Sequence, residues 1–194
     1  MLDLRRVSAL ALLTLALASL AVAHTDDPKV FDRVPPYDGP GYLRPEFRTM
    51  GDPPLTHTFP VQNMTLWAWV TLPEIRAGLT SANDAWGYVS PNGREYGIIG
   101  TSHGTAFYDV TRPARPAQVG FITGPTSIWR DIETYGTYAY IVSEGGSGIQ
   151  VVDLSNIDGG VVTLVRSVTT GGSAATHTMA INTKSDKRRW CASL

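Results

Sequence analysis

Two stretches of the chain match each other without a gap at an offset of 44 residues, Tyr96–Asp109 lying on Tyr140–Asp153. Tyr96 falls on Tyr140, Ile98 on Val142, Gly104 on Gly148, Phe107 on Val151 and Asp109 on Asp153. A period in the forties, made of short strands and tight turns, is the pattern of a propeller blade, a unit that buries its faces only against its neighbours. A propeller closes with about four to eight blades, and the part of this chain that carries the repeat has room for barely two complete ones. The repeat therefore predicts an all-β fold. It would be a partial β-propeller of about two four-stranded antiparallel blades plus single strands, preceded by an extended N-terminal arm.

A second spacing supports this. Asn83-Asp84-Ala85, Arg130-Asp131-Ile132 and His177-Thr178-Met179 recur every 47 residues, each a polar pair ahead of an apolar residue. They mark where a blade's first strand begins. Alternation and turn residues place the first blade in Ala85–Val89, Glu95–Gly100, Thr105–Val110 and Ala117–Ile122, with Gly93 supplying a positive φ in the first turn. The second occupies Asp131–Tyr135, Thr137–Ser143, Ile149–Leu154 and Val161–Thr169. Leu66–Leu72, rich in aromatic and β-branched residues, reads as a further strand that in a full ring would be the outermost one of the last blade. His177–Asn182 opens a third blade. The residues after it abandon the alternation and gather four charges in Asp186–Arg189, as a premature end or shifted frame would produce.

The first 23 residues have the form of a secretion signal. Arg5 and Arg6 precede an apolar run, Val7–Leu20, and Ala21-Val22-Ala23 offers a cleavage site. The run is shorter than the roughly 20 residues that span a bilayer. The expected organisation is a signal peptide at 1–23, a Pro/Gly-rich arm at 24–62, an incomplete propeller at 63–182 and an aberrant or truncated tail at 183–194. Secretion, to the extracellular space, periplasm or cell surface, follows. A single cysteine, Cys191, excludes an internal disulfide. A net charge of −1 gives no reason to expect nucleic acid as a partner.

The run from Asp131 to Leu154, with Tyr138-Ala-Tyr-Ile-Val-Ser-Glu-Gly-Gly-Ser-Gly-Ile-Gln-Val-Val-Asp153 at its centre, resembles the LVIVD repeat of bacterial and archaeal surface propellers. Pro35–Tyr42, Asn83–Gly87, Gly93–Tyr96, Phe107–Pro113, Trp129–Ile132 and His177–Asn182 are similar to segments of the choice-of-anchor B family of secreted proteins. The resemblance covers about residues 24 to 182. The resemblance implies secretion and a propeller and leaves the activity open. The later blades and the anchor of that family have no counterpart in this sequence.

Candidate functional residues are the blade-start set: Asn83, Asp84, Trp86, Arg130, Asp131 and His177. First strands line a propeller's central channel, so these residues would meet at one of its mouths. Two carboxylates near a histidine could hold a ligand or perform acid–base work. The competing expectation is that they hydrogen-bond loop backbone and tie blades together, and their recurrence favours it, because architecture repeats whereas a catalytic set is usually asymmetric. His24 as a copper chelator, Ser102-His103 with Asp109 as a hydrolase set, and Trp67 with Trp69 as a sugar platform are weaker readings. The two tryptophans are better placed for burial against a blade. No cofactor, metal set or basic patch is expected. The leading function is a non-enzymatic propeller that binds an extracellular protein or glycan. The alternative is a secreted enzyme, hydrolytic or metal-assisted, with its site at the channel mouth.

Overall fold

The computed structural model describes residues 37–52 and 61–183, and the backbone alone of 190–193. The proposed signal segment and His24 lie outside the described residues. The fold is all-β. Strands β1 (Tyr42–Leu43) and β2 (Ala68–Trp69) form a small antiparallel pair, followed by a one-turn helix α1 (Leu72–Ile75). Then come β3 (Ala82–Val89), β4 (Glu95–Thr101), β5 (Gly104–Asp109) and β6 (Ala117–Thr123), which form one four-stranded sheet in sequence order. A second sheet repeats the meander with β7 (Arg130–Tyr135), β8 (Tyr138–Ser143), β9 (Ile149–Asp153) and β10 (Thr163–Val168). Finally β11 (Thr178–Ile181) pairs with β12 (Trp190–Ser193).

All neighbouring strands are antiparallel, and the two sheets are separate, as successive blades must be. The first strands of consecutive sheets run against one another, β3 beside β7 and β7 beside β11. This is a partial β-propeller.

The seam between blades is apolar because alternate residues of each strand point into it. Tyr88, Tyr96, Ile98, Phe107 and Ile122 of the first blade meet Ile132, Ala139, Ile141, Val152, Leu154 and Ile157 of the second. Ile98 and Phe107 are direct cross-strand partners, so their side chains share one face and enter the seam together. Gly93 has φ 81° in the β3–β4 turn, as the turn chemistry requires.

Three expectations are corrected. Leu66–Leu72 is not one strand: only Ala68–Trp69 is paired, and Leu72–Ile75 turns into α1. Pro73 suits the first turn of a helix, and Glu74 closes the turn by accepting the Thr71 N–H at 2.9 Å. The partner of β2 is the arm strand β1 and not a blade. Nor is Trp67 buried: it is 40% exposed. Trp67 lies 5.7 Å from the Phe47 ring with the Arg44 guanidinium over it, and Trp69 stacks on Tyr37 at 5.0 Å. Trp67 stands just before β2, and Tyr37, Arg44 and Phe47 of the arm supply these ring contacts. The tail is not wholly irregular either, since the backbone of Trp190–Ser193 extends β11 into a two-stranded pair.

Candidate functional site

The blade-start residues are brought together along β3, β7 and the start of β11, and their polar atoms bond mostly across to neighbouring blades. The Asp84 carboxylate accepts the N–H of Ile132 at 2.8 Å. One repeat later, the Asp131 carboxylate accepts the N–H of Met179 at 2.7 Å. Each bond spans 48 residues and joins the first strand of one blade to that of the next. A charged acceptor makes these stronger than neutral hydrogen bonds.

The position before each aspartate adds a second link. Asn83 donates from Nδ2 to the Arg130 carbonyl at 3.0 Å. Arg130 answers across the seam, its Nε–H reaching the Thr101 carbonyl at 2.7 Å and another N–H reaching the Pro125 carbonyl. Gly100 makes room for this crossing: a Cβ there would sit 2.6 Å from the Asn83 Oδ1 and 3.2 Å from the Arg130 Cβ. Arg130 is 3% exposed, and burial lowers its pKa to about 10, which leaves it cationic at neutral pH. Its Nη1 is buried with no hydrogen-bond partner among the described residues.

Trp86 has an exposed ring and donates its indole N–H to the Thr134 Oγ1 of the second blade at 3.0 Å. His177, where Asn83 and Arg130 stand in the earlier units, has its Nδ1 2.7 Å from Glu144 Oε1 and its ring 5.2 Å from Trp129. Burial raises the Asp131 carboxyl above the usual range against the pull of the Met179 amide, with the Asp84 charge raising it further and His177 opposing. Burial and the charges of Asp131 and Asp84 raise Glu133 likewise. These acids therefore share one field, yet among the described residues no group of three His, Cys, Asp or Glu is arranged to hold a metal ion.

Ser102, His103 and Asp109 do not assemble. The Ser102 hydroxyl bonds to His103 Nδ1 at 2.9 Å and accepts the Thr80 N–H. Asp109 lies at the other end of β5, about 20 Å away along the strand, where it pairs with Arg94 and accepts the Thr111 N–H.

Sequence reasoning missed Asp158. It sits in a one-turn 3-10 helix, Ile157–Gly159, after β9. Its carboxylate takes the Tyr96 hydroxyl at 2.7 Å, the Asn92 amide at 2.7 Å and the Ser90 hydroxyl at 3.1 Å. This locks the seam at the end opposite to Asp84. Those three donors hold the Asp158 pKa down, while burial and the Asp158 bond raise the Tyr96 phenol. No 47-residue counterpart signals it, because the first blade has no acid at the matching place.

The fold and its stitched seam define the class as a repeat-built, all-β partial propeller. Comparison with family models, curated proteins and solved structures gives no match. Among the described residues no helix is long and apolar enough to cross a membrane.

Proposed function

We propose that this chain is a secreted or surface-associated, non-enzymatic propeller module of the LVIVD and choice-of-anchor B type, presenting loops and a channel mouth to an extracellular protein or glycan. The observation that carries the reading is the repeated carboxylate-to-amide bond from Asp84 to Ile132 and from Asp131 to Met179. Acids that do the same structural task in successive repeats are framework, and the chemistry of such a module lies in the surfaces the framework holds out. The test is Asp84→Ala together with Asp131→Ala in the full chain. The expected result is a lower urea midpoint and loss of seam protection. A doubly substituted protein with wild-type stability would overturn it.

One observation favours an enzyme instead. The third unit departs from the repeat by placing His177 against Glu144, and a carboxylate-held imidazole is suited to general-base work. Turnover of an ester or glycoside panel by the wild type, lost in a well-folded His177→Gln variant, would make this the better reading. An unchanged panel would remove it.

A further inference from the structure

The repeat separates framework from function more sharply at the opposite end of the first blade. There, Arg94, Asp109, Thr111, Arg112, Arg115 and Ala117 line an open cleft of about 510 Å³. No basic patch is evident in the sequence, because these arginines lie up to 21 positions apart. The fold gathers them: Arg94 stands just before β4, and Arg112 and Arg115 stand on the loop between β5 and β6.

The part of this cleft that recurs is architectural. Asp109 accepts the Thr111 N–H at 2.9 Å, and Asp153, 44 residues on, accepts the Ser155 N–H at 2.8 Å. The arginines do not recur. The positions matching Arg94, Arg112 and Arg115 are Tyr138, Asn156 and Gly159. A feature confined to one repeat is not needed to build a blade.

Among the described residues the charges of the cleft do not cancel. Of the three guanidinium groups, Arg94 pairs with Asp109 and Arg115 donates to the Phe47 carbonyl. Asp52 also feels Arg115, but it has Arg48 beside it, donating to its carbonyl at 3.1 Å. The Arg112 guanidinium makes no hydrogen bond or ion pair among the described residues. The loop that carries it is stiff: Pro113 and Pro116 fix φ, the Arg115 N–H returns to the Arg112 carbonyl at 2.8 Å, and Ala114 is buried. Arg112 is thus held in place without an anionic partner among the described residues.

We propose that this cleft is a binding site for a multiply charged tetrahedral oxyanion, a phosphate or sulfate group. Arg112 and Arg115 would contact it from one wall and Arg94 from the other. Planar guanidinium forks match such oxygens in pairs, and the cleft has room for the organic residue that carries the anion. The inference concerns a different site from the channel mouth and stands whether or not the chain is secreted.

The test is calorimetric titration of the full chain with pyrophosphate and, separately, with inorganic sulfate at low salt. The proposal expects saturable binding with a Kd of about 1 mM or below for at least one of them. It also expects weakening as ionic strength rises and a loss of about tenfold or more in Arg112→Ala. Arg112→Lys should not restore it fully, because a point charge replaces the fork. Tighter binding of pyrophosphate assigns a phosphorylated ligand, and tighter binding of sulfate a sulfated one. If Arg112→Ala fails to fold, Arg115→Gln supplies the same measurement. No saturable binding of either anion, or an equal Kd in wild type and a folded variant, overturns the site.

Discussion

The face that the second blade turns toward the first and the face it turns away are made from alternate residues of the same strands. Ala139, Ile141, Val152 and Leu154 point into the seam and are fully buried. Tyr138, Tyr140, Ile149 and Val151 point the other way, where Met179 and Ile181 cover part of the surface. The remainder is a groove of about 450 Å³ continued by Val165 and Val168, with Tyr138 38% and Val165 54% exposed. Both faces are apolar, so hydrophobic pattern does not distinguish them. What differs is the completeness of the cover. On the seam side a whole sheet lies opposite, locked by Asp84 at one end and Asp158 at the other; on the far side β11 and β12 offer two strands.

This contrast is most exposed by the same deletion made on each face. Ile132→Ala, in the seam, should cost about 4 kcal/mol, whereas Ile149→Ala, on the far face, should cost about 2 kcal/mol. Urea midpoints measure both, and equal losses would show that the far face is as well packed as the seam. The two stitches come next. Asp84→Ala leaves the Ile132 amide buried without an acceptor and should cost about 2–3 kcal/mol, against about 1 kcal/mol for Asp131→Ala. Hydrogen exchange should quicken at the Ile132 amide in the first variant and at Met179 in the second.

The smallest effect is a pH dependence. The Asp131 carboxyl is raised above its ordinary 3.8 in the folded state, chiefly by burial. Its contribution to stability is therefore complete below pH 3.8 and is lost as pH rises through the folded value. Asp109 behaves in the opposite sense: burial raises it, but the Thr111 side chain, the Thr111 amide and Arg94 together hold it below 3.8. Its contribution is present above that pH and lost as pH falls through the folded value. Asp131→Asn should flatten the first slope and Asp109→Asn the second in urea midpoints taken from about pH 3 to 6.

The blades were legible in the sequence because they obey two periods at once, the two-residue alternation of strands and the repeat of 44 to 47 residues. The inner stitches were legible for the same reason, since Asp84 and Asp131 occupy the same phase. Where a feature happens once, the sequence is quieter. The turn at Thr71-Leu-Pro-Glu74 carries a helix-start signal, yet it lies inside a run whose β character is stronger, and the local hydrogen bond decided the outcome. Asp158 and the cleft arginines leave no periodic trace. Their meaning comes from what lies across the seam or across the cleft, which only the folded chain brings into register.

The acceptor at Asp84 grips the main chain at Ile132, not a side chain. Every amino acid but proline brings that hydrogen, so the joint sets almost no condition on the identity of the unit it receives. A gene that duplicates or exchanges such units can keep its product joined through each change, while the loops between strands drift toward new ligands.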